Sequence, residues 1–243
     1  MLLKRVGMLS IEGLNSGYGT YRVLFDIDME IPRREITVVV GPNGAGKTTL
    51  INSIMGVATV FSGDISYEGR SIVGLPPHKL TRMGIACVPQ MGNIFTELSV
   101  LENLRMAGYI LEKEELRERI GEILDFFPVL KEFLHRKAGT LSGGERRMLA
   151  IAIGLIKNPK LLLLDEISTD LAPIIRNRVM EKIMELRDDL GITVLMVEQI
   201  AKKALEIGDN AYLLVSGEIR FRGKAEELLH HPKLARLYLG IKE

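Results

Sequence analysis

The chain has almost no cysteine. Cys87 stands alone in 243 residues, so no intrachain disulfide framework can form and a reducing compartment is the expected setting. Long apolar runs are missing as well. Stretches such as MLAIAIGLI fall far short of the roughly 20 residues a membrane-spanning helix needs. The opening MLLKRVGMLSIEG likewise has too short an apolar run for a secretory signal. If the protein works at a membrane, another chain is expected to do the spanning. Neither sign of charge dominates: 32 Lys and Arg face 31 Asp and Glu, a net charge of +1. That gives no general electrostatic case for nucleic acid or acidic lipid, and leaves only a local basic patch open. Internal repeats, low-complexity tracts and obvious linkers are also lacking, which favours one compact unit over residues 1–243.

What is present is a globular composition, 47% hydrophobic and 26% charged, with ample material for a core. The segments MLSIEGLNSGYG, VLFDIDMEI and EITVVVG read as antiparallel strands leading into a buried parallel strand. GDISYEGR reads as one further strand bounded by glycines. After GIACVPQ the pattern turns helical. Leu98, Leu101 and Leu104, then Leu116, Ile120, Ile123 and Phe127, recur at helical spacing and predict an inserted helical region over about residues 91–139. Periodicity leaves open whether those helices pack on the same core. Strand and helix then alternate: LLLLDE, a helix face of Ile175, Val179, Ile183, Leu186 and Leu190, the strand ITVLMVE, and a hairpin turning at Ser216 and Gly217. Such alternation implies a parallel α/β sheet.

GPNGAGKT, from Gly41 to Thr48, fits the phosphate-loop pattern. Its glycines let the backbone curl so that N–H groups point at phosphate oxygens, and the following helix adds its positive end. Lys47 is expected to reach the β- and γ-phosphates and the Thr48 hydroxyl to take one position on Mg²⁺. LLLLDE supplies the second half: a strand ending in Asp165 delivers a carboxylate to the metal, and Glu166 is placed to polarise an attacking water. Alone, an apolar run capped by two acids also describes a strand meeting solvent; the phosphate loop upstream tips the reading. Gln90, in CVPQ, can contact Mg²⁺ or that water, although by itself it is an ordinary glutamine after a proline. Tyr18 can stack on adenine, with Tyr21 as the alternative. LSGGE precedes the helix RRMLAIAIGLI, so Ser142 is expected at its N-cap beside two glycines that leave the backbone approachable.

Phosphate loop, Gln90, LSGGE, LLLLDE and an apolar strand before EQ, in that order, resemble the ATP-binding cassette family over essentially the whole chain. The resemblance implies a P-loop NTPase with a RecA-like parallel core, an N-terminal antiparallel β subdomain and an inserted α-helical subdomain. It implies ATP and Mg²⁺ as cofactors. Gly41, Pro42, Asn43, Gly44, Ala45, Gly46, Lys47, Thr48 and Thr49 become nucleotide residues, Gln90 and Asp165 join Thr48 as metal ligands, and Glu166, Gln90 and Gln199 become catalytic. Ser142, Gly143 and Gly144 would bind the ATP of a partner subunit. GLPPHKLTRMGIACVPQ, IFTELSVLENL, LAPII and VEQIAKKALEI look like the ATPase subunits of branched-chain amino-acid importers. That branch implies a second ATPase subunit, membrane permease chains and, indirectly, a solute-binding protein, with the chain on the cytoplasmic face. Urea-type importers, lipopolysaccharide exporters, a soluble non-transport cassette and a non-hydrolysing regulator are the alternatives. Departures are Ile167 in place of a proline, Asp170 in place of a glycine, MGNIF without paired arginines, and Gln199 where most cassettes carry histidine. An amide can donate to phosphate but cannot carry a histidine's charge, so slow hydrolysis is one expectation.

Overall fold

Leu161 to Leu164 are all fully buried, which requires a strand covered on both faces. The structure, a computed structural model, describes residues 7–232 and builds two sheets around that strand. Strands β1 (Leu9–Tyr18), β2 (Tyr21–Ile31) and β3 (Ile36–Val40) lead into α1 (Lys47–Ile54). Next come β4 (Thr59–Tyr67), β5 (Arg70–Ser71), α2 (Pro77–Arg82) and β6 (Ile85–Val88). The helices α3 (Val100–Ala107), α4 (Lys113–Phe126), α5 (Pro128–Glu132) and α6 (Gly143–Leu155) follow. Alternation resumes with β7 (Leu161–Asp165), α7 (Pro173–Asp188), β8 (Thr193–Glu198) and α8 (Ala201–Ile207). The described chain closes with β9 (Asn210–Val215), β10 (Glu218–Lys224) and α9 (Ala225–Leu229).

The larger sheet has the order β10-β9-β3-β8-β7-β6; its strands from β9 to β6 run parallel, and β10 joins the edge antiparallel. The smaller sheet, β2-β1-β4-β5, is antiparallel throughout. Strand alternation divides the side chains between two cores. Leu162, Leu164, Val194 and Met196 join a core with α6 and α7, whereas Leu161, Leu163, Leu195 and Val197 pack with α1 and the antiparallel sheet. Each such side chain stabilises the fold by about 1.5–3 kcal/mol. Val100, Leu104, Ile120, Ile123 and Phe127 belong to the same continuous core as Leu162 and Met196. Helix α6 makes the connection, touching α3, α5, α7 and β6.

Three local expectations are corrected. Ser99 and Glu102 form a capping box that starts α3 at Val100, so Leu98 lies outside the helix it was grouped with. Leu190 is 49% exposed because α7 ends at Asp188 and the chain turns at Gly191 with φ +64°. GDISYEGR is the arm of a hairpin, since Glu68 and Gly69 at φ +49° and +77° reverse the chain and Tyr67 pairs with Arg70. The hairpin at Ser216 and Gly217 forms as expected, with Val215 opposite Glu218.

Candidate functional site

The phosphate loop leaves β3 at the carboxyl edge of the parallel sheet and closes onto α1. Gly46 caps that helix at φ +104°, and a Cβ there would lie 2.6 Å from Leu24 Cδ2, so only glycine fits. Lys47 folds back along the loop. Its Nζ donates to the carbonyls of Gly41 at 2.9 Å and Pro42 at 3.0 Å, and pairs with Glu166 Oε1 at 3.1 Å. These contacts engage all three N–H donors of the ammonium. The first-turn amides of α1 add a local positive potential to the same place.

The acids arrive from β7. Asp165 is buried and its Oδ1 accepts from the Thr48 hydroxyl at 3.3 Å. Burial raises its pKa above the ordinary carboxylate value, opposed by the Thr48 hydrogen bond, while the Glu166 charge adds to the rise and Lys47 opposes it. Glu166 sits at φ +46° with its N–H on Val197 O at 2.9 Å, a backbone turn that throws its side chain back toward Lys47. Gln90 Nε2 donates to Glu166 Oε2 at 3.4 Å. Lys47, Thr48, Gln90 and Glu166 thus surround one cleft of about 500 Å³, which Asn43, Gly44, Gly46, Thr49, Thr169 and Gln199 also line, and Asp165 joins it through the Thr48 hydroxyl.

Ser142 caps α6 as expected. Its Oγ accepts from the Glu145 N–H at 3.3 Å, and Glu145 Oε2 accepts from the Ser142 N–H at 2.7 Å. Gly143 is exposed, whereas Gly144 is buried with a built Cβ only 2.3 Å from Ile175 Cγ2 on α7. The second glycine therefore lets two helices touch, in addition to any role of its backbone. Ser142, Gly143 and Gly144 are not among the residues lining the Lys47 cleft. Tyr18 also lies off that lining: it is 43% exposed at the end of β1, its hydroxyl accepting from Asn52 Nδ2 at 2.7 Å. Tyr21, opposite it across the hairpin, is 81% exposed.

Sequence reasoning passed over three residues here. Arg147 on α6 donates to the Gln90 carbonyl, joining the helix after LSGG to the Gln90 segment. Thr169 lines the same cleft as Glu166 and Gln199. Glu198 is fully buried at the end of β8. The signal for Glu198 was an acid closing the apolar run ITVLMV, which reads equally well as a strand meeting solvent. Of the departures, Ile167 is fully buried in the α6 and α7 core, and Asp170 adopts φ +62°, a conformation glycine takes at lower cost.

A phosphate loop on a parallel sheet, paired acids beside it and a helical insert define an ATP-binding cassette. The chain belongs to the ABC transporter family, whose profile matches residues 24–169, and it is an ATPase that binds ATP. It is 51% identical to the "Probable branched-chain amino acid transport ATP-binding protein LivF" of Archaeoglobus fulgidus over 96% of this chain and 99% of that one. It is 43% identical to the high-affinity branched-chain amino acid transport ATP-binding protein BraG of Pseudomonas aeruginosa, over 96% of this chain and 100% of the other. The crystal structure of an ATP-binding cassette of an ABC transporter in its ADP conformation superposes with a TM-score of 0.87 at 29% identity, covering 96% of this chain and 98% of that one.

Proposed function

We propose that the chain is the ATP-hydrolysing subunit of an importer for branched-chain amino acids, working as one half of a pair of cassettes on the cytoplasmic face of membrane permease chains. The observation carrying this reading is full-length similarity, 51% and 43% identity, to two cassettes named for that transport. No helix among the described residues is long and apolar enough to cross a membrane, so the reading assigns the spanning to permease partners. A solute-binding protein would deliver the substrate to them.

The cleft suggests how turnover proceeds. Lys47 gives up Glu166 when the γ-phosphate arrives, because its donors are otherwise occupied. The freed Glu166 carboxylate then orients water for in-line attack, with Gln90 and Gln199 donating hydrogen bonds nearby. The Thr48 hydroxyl and the Asp165 carboxylate, already 3.3 Å apart, together with the Gln90 amide oxygen, are hard oxygen donors that fit Mg²⁺. Such a cation neutralises phosphate charge, and Asp165, raised by burial, would ionise more readily beside it. Asn43, Gly44, Gly46 and Thr49 complete the phosphate cradle, and Tyr18 stacks on the base. Ser142, Gly143 and Gly144, lying outside the Lys47 cleft, serve the nucleotide of the partner cassette.

Glu166→Gln tests the chemistry: ATP affinity by titration should be retained while phosphate release falls by about 100-fold or more. Turnover at the wild-type rate would remove Glu166 from its role. The transport reading is tested by copurifying the chain with its permease partners and binding protein. Stimulation of ATPase activity by leucine, isoleucine or valine is expected; stimulation by urea alone would assign the chain to the urea-type branch instead.

A further inference from the structure

Glu198 is the last residue of β8, and alternation along the strand gives it the facing of Val194 and Met196, into the core under α6 and α7. An acid is rare in such a place without a task. Its Oε1 accepts the Ser168 N–H at 2.9 Å. Among the described residues five buried side-chain oxygens have no hydrogen-bond partner, and three of them are Glu198 Oε2, Ser168 Oγ and Thr169 Oγ1. Native folds pair almost all such atoms, so two of them in one short turn, with a third on the carboxyl that holds its backbone, mark that turn as functionally constrained.

The turn is residues 166–170, which opens and closes with the left-handed Glu166 and Asp170, at φ +46° and +62°. Thr169 N–H donates to Glu166 O at 3.3 Å, so displacing Ser168 displaces both neighbours that line the cleft. On the other side, Glu198 is joined covalently to Gln199, which enters the same cleft from β8.

We propose that Glu198 is a positioning residue for ATP hydrolysis: its buried carboxyl holds the Ser168 N–H and so fixes Glu166 and Thr169 relative to Gln199 across the cleft. The carboxyl faces the charges of Glu166, Arg176 on α7 and Arg147 on α6, and burial pushes its pKa up to about 7. Both protonation states keep an acceptor for the Ser168 N–H, and the neutral acid adds an O–H donor toward the Ser168 hydroxyl. The proposal rests on the reading of Glu166 as the residue that orients water.

The test uses the full-length chain with its copurified partners and three variants: Glu198→Met, Glu198→Gln and Glu166→Gln. Methionine matches the length of glutamate without a strong acceptor, whereas glutamine keeps a carbonyl for Ser168. Glu198→Met should lower kcat by about 100-fold, the scale of a small displacement of reacting groups, with ATP affinity of the purified chain unchanged. Glu198→Gln should recover most of kcat. A Glu198→Met protein that binds ATP and turns over at the wild-type kcat overturns the proposal, as does equal impairment of the Gln and Met variants. Hydrogen exchange in the folded wild-type chain needs no variant: protection of the Ser168 amide is expected, and free exchange overturns the proposal. Glu166→Gln separates the two layers. If it keeps turnover, the reading of the site fails; if it is silent while Glu198→Met stays active, only the role of Glu198 fails.

Discussion

Glu198 should tie the stability of this protein to pH, and glutamine in its place should break the tie. In an unfolded chain the carboxyl titrates near 4.5, whereas in the fold loss of water pushes it up to about 7, a rise that the Ser168 hydrogen bond only partly opposes. Between those values the unfolded chain has released its proton while the native chain still holds it. The native state binds more protons there, so stability falls as pH rises through the window. At about 1.4 kcal/mol per unit the full interval corresponds to about 3 kcal/mol, present at the acid end and lost once pH exceeds the native value. Glutamine carries no titratable proton and retains the acceptor for Ser168. Glu198→Gln should therefore match wild type below about pH 4 and exceed it by up to about 3 kcal/mol at about pH 8, equivalent to about 6–12 °C in Tm. Urea unfolding of both chains across that range is the assay. Asp165, also raised by burial, is common to the two proteins and cancels in the difference. Parallel pH profiles would refute the reasoning, because they would mean that the buried carboxylate is ionised in the native state without cost.

Other substitutions address the remaining contacts. Ser142→Arg should leave ATP affinity of the isolated chain intact and abolish ATP-driven association; equal loss of both in titration and light scattering would count against a shared site. Gly144→Ala places a methyl 2.3 Å from Ile175 Cγ2 and should destabilise by about 1–3 kcal/mol. Adding Ile175→Ala should recover part of that loss in a double-mutant cycle, and strict additivity would show that the clash is not the cause. Asp170→Gly relieves a φ of +62° and should raise stability slightly or leave it unchanged. A clear fall in Tm would mean that the Asp170 side chain contributes more than its backbone costs.

The phosphate loop was legible because its chemistry is local: glycine freedom, a helix start and one lysine lie within eight consecutive residues, Gly41 to Thr48. LLLLDE was legible for a related reason. A run apolar at every position and only strand-long suits a strand covered on both faces, and β7 is covered on both faces. Helix ends and turns were harder to read. Leu98 continues the periodicity of α3 but falls before the Ser99 cap, and the positive φ of Glu68 and Gly69 divides GDISYEGR into a hairpin. Gly144 looked like a ligand loop residue, and only the approach of α7 revealed that its missing side chain makes room for Ile175.

The sequence by itself determined the class of sheet, the place of the phosphate loop and the order of the functional segments, because each depends on periodicity or on residues adjacent in the chain. Tertiary structure alone decided that Lys47 holds Glu166, that Arg147 holds the Gln90 carbonyl, and that Glu198 holds Ser168. Those pairs are separated by 119, 57 and 30 positions, and in each an ionisable side chain meets a partner that the fold brings close. No propensity or spacing encodes such a meeting; it follows from which strand lies beside which, and from which face of the sheet a side chain is given.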